Sequence, residues 1–344
     1  MHNSDTNTSE KNNRPKNIPV RVILSCLLFI LFTGIITAVV YRPYGQIYSN
    51  SNQFELIVLG ASEPLWGANP QILTDETGMK TCILASERCD YAGKYEMLHS
   101  AIQQDSLEMV LLDVSNTSLV KDFDPLKELY FTKVSGLFNK LGTAFRRFSF
   151  WEDEYDTIFA ETLNSGIKSW GSVLNGSYDE IFQRHGYEPQ YAATLTDAPE
   201  DIAAMRDFTD TDLDYDLTAL DEIRKMAALC RSHNVEMIIV TFPVSAQSNW
   251  LFSGWDSFRG IMTSLAEELQ VPYYDFNLLI DRYDYFPDAT CFRDIEHLNS
   301  EGADRFSKML AELVNCQKEG TAYPYGFYDS YLEAKDHSYY AQFQ

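Results

Sequence analysis

Five short apolar runs punctuate the chain: residues 55–59 (ELIVL), 81–85 (TCILA), 109–114 (MVLLDV), 237–242 (MIIVTF) and 271–276 (VPYYDF). A strand that alternates apolar and polar positions buries one face. A strand apolar almost throughout buries both, as in a parallel sheet covered by helices on each side. Helical patterns fill the intervals, at about 93–104, 217–233, 256–269 and 300–315. This alternation predicts an α/β fold, a flavodoxin-like three-layer α/β/α sandwich around a five-stranded parallel sheet. The sandwich is expected to occupy residues 45–316. The interval after the third strand, about 119–215, is too long for a plain crossover. It is aromatic-rich at 146–155 (RRFSFWEDEY) and helix-like near 125–140 and 153–170. Two readings of this helical insertion stay open: a lid or substrate platform over the carboxyl edge of the sheet, or a packed embellishment. Residues 317–344, rich in Tyr and Gly, are expected to form an irregular tail.

One hydrophobic segment follows neither period. Twenty residues, Val22–Tyr41 (VILSCLLFILFTGIITAVVY), carry no charge. As a helix they would span about 30 Å, the thickness of a bilayer core. A cleaved signal peptide would have a shorter apolar region ending in a small-x-small site, and Ala38-Val39-Val40 is a poor match. An uncleaved transmembrane anchor at 22–41 is therefore expected, behind a tail of residues 1–21. Composition then acquires a direction. Of the chain's 27 basic and 50 acidic residues, residues 1–42 hold five bases (Lys11, Arg14, Lys16, Arg21, Arg42) and two acids. Four of those bases precede the apolar run, which places the tail in the cytoplasm and the domain outside it, in a single-pass cell-membrane protein. The rest holds 22 bases and 48 acids, and the whole chain has a net charge of -23. Such a surface repels phosphate backbones, so nucleic acid is excluded as a partner class. A hydrophobic content of 45% supplies a sizeable core. The mean hydropathy of -0.25 excludes a multi-pass membrane protein.

The six cysteines show no CxxC and no Cys/His spacing suited to zinc, and they read as small core residues. No metal site is expected. The acids at 207, 210, 212, 214, 216 and 221 resemble a calcium loop, but Tyr215 stands where the turn requires Gly.

In an open α/β sheet, chemistry lies beyond the carboxyl ends of the strands. After the first strand comes Gly60-Ala61-Ser62, at the start of a helical segment whose N–H groups can stabilise a negative oxygen. Ser62 is either a helix cap or a nucleophile. Before the last helix comes Asp294-Ile295-Glu296-His297. An Asp three residues before a His can reach Nδ1–H within one turn and leave Nε2 outward as a base. Glu63 and Glu296 flank these residues and read as solvated loop acids.

A nucleophile after the first strand, with Asp and His together in one late loop, resembles the SGNH/GDSL hydrolase superfamily. The first family block is matched by GASEPLWG (60–67) and the last by DIEHLNSEGA (294–303). IIVTFPV (238–244) and YYDFN (273–277) resemble the family's fourth and fifth strands. The resemblance covers most of residues 54–315, the insertion excepted. It implies a catalytic Ser62–His297–Asp294 triad without metal or organic cofactor. The family draws oxyanion donors from a Gly after strand two and an Asn after strand three. The nearest residues are Gly93 and Asn116, neither within a G-x-N-D pattern. Eroded middle blocks and an N-terminal anchor are similar to the branch containing D-alanine-transfer and alginate-acetylation proteins. That branch implies acyl transfer, with acetyl the favoured group, to a cell-surface polysaccharide, or ester hydrolysis on one. A multi-pass membrane acyltransferase would be the partner that delivers the acyl group. Two alternatives remain: a plain surface esterase or lipase, and a non-catalytic module of the same fold that binds glycan or a partner.

Overall fold

The computed structural model describes residues 20–29, 31–32, 54–102, 106–120, 185–191, 195, 213–251 and 254–336. The five apolar runs become β1 (Leu56–Gly60), β2 (Thr81–Ala85), β3 (Met109–Asp113), β4 (Glu236–Thr241) and β5 (Tyr273–Asp275). All pairings are parallel, in the order β2-β1-β3-β4-β5. The fold class is therefore the doubly wound α/β sandwich that the patterning predicts.

Alternation within each run divides the core in two. Ile57, Leu59, Val110, Leu112, Met237 and Ile239 point to one side, and Leu56, Val58, Met109, Leu111, Ile238 and Val240 to the other. The first face is covered by α3 (Tyr91–Ala101), α5 (Ala219–Ser232) and α7 (Trp255–Leu269), through residues such as Leu98, Ile223 and Phe258. The second is covered by α2 (Pro70–Thr77) and α10 (Ser300–Glu319), through Leu73, Phe306 and Leu310. Burying side chains of this size contributes about 1.5–3 kcal/mol each. Short helices complete the described residues: α1 (Ser62–Gly67), α4 (Asn116–Leu119), α6 (Ala246–Leu251), α8 (Arg282–Tyr285), α9 (Asp288–Cys291) and α11 (Tyr331–Asp336).

The last helix corrects one expectation. The C-terminal region is not wholly irregular: α10 runs on to Glu319, and α11 carries a buried Tyr331 that stacks on Trp255 with ring centroids 5.1 Å apart.

Helical expectations at 125–140 and 153–170 lie outside the described residues. The described piece at 185–191 meets the sheet. His185 accepts the Ile83 amide at 2.9 Å along the outer edge of β2, and the Glu188 amide reaches the Leu65 carbonyl at 3.0 Å. Gly186 permits this approach, with a φ of +89° and no room for a Cβ, which would lie 2.1 Å from the Ile83 oxygen.

At the N-terminus, residues 20–29 and 31–32 are helical, and Val22, Leu24, Leu28 and Phe32 are each more than half exposed. Among the described residues no helix is long and apolar enough to cross a membrane. The rest of the 22–41 run lies outside them.

Candidate active site

The site forms where β1 ends. Gly60 closes the strand because nothing larger fits: a Cβ there would lie 2.3 Å from Pro64 Cγ and 2.8 Å from Asp113 Cβ. The chain turns at Ala61, with φ -102° and ψ -132°, and Ser62 begins α1. This point is also the topological switch of the sheet, because the chain runs from β1 to β2 on one side and then to β3 on the other.

The loop between α9 and α10 supplies the imidazole of His297. It is a tight excursion pinned at its root: Arg293 N–H donates to the His297 carbonyl at 2.9 Å, and Asn299 N–H donates to the Cys291 carbonyl at 2.9 Å. Asn299 also caps α10, accepting the Gly302 amide at 3.0 Å. Within the loop Asp294 Oδ1 accepts three hydrogen bonds, from the amides of Glu296 (3.0 Å) and His297 (2.9 Å) and from His297 Nδ1 (2.8 Å). A carboxylate only accepts, so Nδ1 carries the ring proton and Nε2 presents its lone pair. Nε2 lies 3.0 Å from Ser62 Oγ. The three residues singled out in the sequence, 235 positions apart at the extremes of the sheet domain, thus form one continuous relay.

Electrostatics favour the imidazolium. Burial is the largest influence on His297 and lowers its pKa. The Asp294 hydrogen bond and the charges of Glu63, Asp294 and Glu296 outweigh it, leaving the net shift above 6.5. For Asp294 partial burial, which opposes ionisation, is likewise overcome by the bonds from His297 and the two loop amides, and its pKa falls. Glu296 is pushed up, chiefly by burial.

Neither expected oxyanion donor is prominent in this geometry. The Gly93 amide is directed at Asp90 Oδ1, 2.7 Å away, where Asp90 caps α3. That N–H serves the helix terminus, not an open anion site, and the expectation for Gly93 is corrected accordingly. Asn116, at the start of α4, is buried with its Oδ1 2.8 Å from the Tyr215 hydroxyl. An oxyanion would need its amide nitrogen instead.

Trp66, Arg293 and Glu188 escaped the sequence reading, and Glu63, read there as a solvated acid, lies beside the serine. The Trp66 ring stands edge-on to His297, with centroids 4.5 Å apart, and the Arg293 guanidinium lies 4.7 Å over the same indole. Trp66 Nε1 donates to Glu188 at 3.4 Å. Spacing was the available signal for Trp66, one helical turn after Ser62; nothing in the sequence pointed to Glu188. Glu63 Oε2 lies 3.5 Å from Ser62 Oγ, at the limit of a hydrogen bond.

Among the described residues no group of His, Cys, Asp or Glu is arranged to hold a metal ion. The acids at 207, 210 and 212 lie outside them, while Asp216 accepts from the Thr218 amide and hydroxyl ahead of α5. Cys82, Cys89, Cys230 and Cys291 are buried free thiols, that of Cys82 pushed up to about 12 by burial.

No family model matches the chain, and no curated protein matches it. Solved structures similar to it include a candidate acylhydrolase from Bacteroides fragilis. The likeness covers 76% of this chain and 86% of that one, at 9% identity and a TM-score of 0.36. A GDSL-like lipase from Bacteroides thetaiotaomicron is similar over 81% of this chain and 98% of its own, at 9% identity and a TM-score of 0.38.

Proposed function

We propose that the chain is an SGNH-type serine enzyme that moves an acyl group, with acetyl the favoured one, on a cell-surface polysaccharide. One observation carries this reading: the unbroken relay from Ser62 Oγ through His297 to Asp294, with steps of 3.0 and 2.8 Å. Ser62 Oγ attacks the acyl carbonyl as His297 Nε2 takes its proton, and Asp294 stabilises the imidazolium. The backbone N–H of Ser62, in the first turn of α1, would face the tetrahedral oxyanion, with the Asn116 side-chain amide as its helper. His297 returns the proton to the leaving oxygen, giving an acyl-serine. A hydroxyl of the acceptor glycan, or water, then attacks that ester by the same route in reverse. The residues require no metal or cofactor for these steps.

The uncharged run Val22–Tyr41 would serve as the membrane anchor, with the acidic domain extracytoplasmic and a multi-pass acyltransferase as acyl supplier. In intact cells, or spheroplasts where there is an outer membrane, added protease should digest the domain while sparing cytoplasmic markers. Protection until lysis would remove the surface-glycan reading.

The chemistry is tested on the 344-residue chain with a fluorophosphonate probe, which should label Ser62 alone. Incubation with an activated acyl ester should then yield acylated oligosaccharide when glycan is present. Free acid as the sole product would assign a plain esterase. An unlabelled, folded chain would overturn the enzyme reading and leave a binding module.

A further inference from the structure

Beneath the nucleophile turn lies a charged pair that the relay does not use. Lys94, on α3, and Asp113, the last residue of β3, are both wholly buried. Lys94 Nζ donates to the Asp113 backbone carbonyl at 2.8 Å and stands 3.5 Å from its Oδ2. The ammonium also lies 4.8 Å over the Tyr91 ring. Asp113 Oδ1 is buried without a hydrogen-bond partner. Burial works against the Asp113 charge, as does Glu63; Lys94 and the backbone N–H of Ala61 favour it.

A buried pair with one long contact and one orphan oxygen is a poor source of stability. Apolar residues of similar volume commonly do as well or better. Its position is more informative. Gly60 packs so closely on Asp113 that a Cβ there would lie 2.8 Å from Asp113 Cβ, and the backbone N–H of Ala61 favours the Asp113 charge. Those two residues immediately precede Ser62. From this placement we infer that Lys94 and Asp113 are a positioning pair. Lys94 fixes the end of β3 and the Asp113 carboxylate, and Asp113 fixes the Gly60–Ala61 peptide that leads into Ser62. The Ser62 N–H is thereby aimed at the oxyanion and Ser62 Oγ at His297. The inference rests on the acyl-serine reading and adds the residues that hold its nucleophile in register.

Two double variants of the 344-residue chain test it, so that neither leaves a lone buried charge. Lys94→Met/Asp113→Leu removes the acceptor facing Ala61; Lys94→Met/Asp113→Asn keeps a side-chain oxygen in its place. Both should melt near the wild-type temperature. The Leu variant should lose about 10²-fold in kcat on p-nitrophenyl acetate and in fluorophosphonate labelling, the effect expected of a misplaced reacting atom. Its KM should change less than about twofold, since the loss lies in the chemical step. Its pH midpoint should stay close to the wild-type value, because the main influences on the imidazole are burial, Asp294, Glu63 and Glu296. The Asn variant should recover most of the rate, and hydrogen exchange should quicken at residues 60–63 in the Leu variant alone. Folded variants that react equally fast as each other would overturn the positioning role. A wild-type chain that is folded and unlabelled would overturn the enzyme reading itself, and that arm is read before either variant.

Discussion

The two halves of the candidate site are built on opposite principles. The relay half comes from two short segments, and the contacts that orient its base are local: the three bonds to Asp294 Oδ1 span no more than three residues, while the His297–Ser62 contact joins the segments. Its side chains stay partly open, His297 at 15% and Asp294 at 40% exposure. The half beneath the turn joins α3 to β3 and is closed to solvent, with Lys94 and Asp113 at 0%. Tyr91 Oη, on the ring beneath the Lys94 ammonium, is a second buried oxygen without a hydrogen-bond partner there. A half-open relay can change protonation at little expense to the fold. A dry charged pair cannot, since each member depends on the other.

Substitutions should separate the halves most sharply. Ser62→Ala or His297→Ala should lower acyl turnover by a factor on the order of 10⁶, and Asp294→Asn by about 10⁴, because an amide favours the wrong imidazole tautomer. Calorimetry should find each of the three destabilised by no more than about 1.5 kcal/mol, since the Trp66 contact and single hydrogen bonds are worth about that or less. Lys94→Met alone should do the reverse. It strands the Asp113 carboxylate in a dry site and should destabilise the chain by about 3–5 kcal/mol in urea titration. A relay variant that unfolds, or a Lys94→Met chain of unchanged stability, would break the contrast.

The same division sets what the sequence made legible. Asp-x-x-His is a local pattern, and it closes as a turn because Asp294 finds its partners within one loop. The strands were legible because runs such as ELIVL bury on both faces. Their ends were less so. The fifth apolar run begins at Val271, yet β5 starts at Tyr273, because the Val271 amide still serves α7 by bonding to the Ala266 carbonyl at 3.1 Å. It stops at Asp275 because that side chain accepts the Asn277 amide at 3.1 Å and starts a 3-10 turn. Neither competition shows in hydrophobicity. Lys94 and Asp113 are 19 positions apart and read singly as a helical Lys and a strand-end Asp. Only the packing of α3 against the sheet turns them into a pair. Gly93 misled for a related reason: its place after strand two suited an anion site, but Asp90 three residues earlier claims the amide as a cap.

Trp66 tests the border between the halves, since it follows Ser62 on α1 yet packs on His297. Its edge-on contact restrains the imidazole, and such contacts are worth about 0.5–1.5 kcal/mol. Trp66→Ala should therefore slow fluorophosphonate labelling by about threefold to tenfold. Trp66→Phe, which keeps a ring, should lie closer to the wild type. A loss of 10³ or more would mean that the indole belongs to the relay proper.

The smallest effect concerns charge alone. Labelling requires neutral His297, so its rate should rise with pH through the imidazole pKa, which lies above 6.5. After burial, which lowers that pKa, and the Asp294 bond, which raises it, Glu63 is the next influence, ahead of the Asp294 and Glu296 charges. A negative Glu63 stabilises the imidazolium, so Glu63→Gln should move the midpoint toward acid. The variant would then outpace the wild type on the acidic limb and match it on the alkaline plateau, where His297 is neutral in both. Glu63 Oε2 also touches Ser62 Oγ at 3.5 Å, which offers a competing account: a carboxylate that holds the nucleophile instead of tuning the base. The two separate cleanly. Tuning the base moves the midpoint and leaves the plateau; holding the nucleophile lowers the plateau and leaves the midpoint. A plateau that falls with no acid shift would transfer Glu63 from the electrostatics of His297 to the positioning of Ser62.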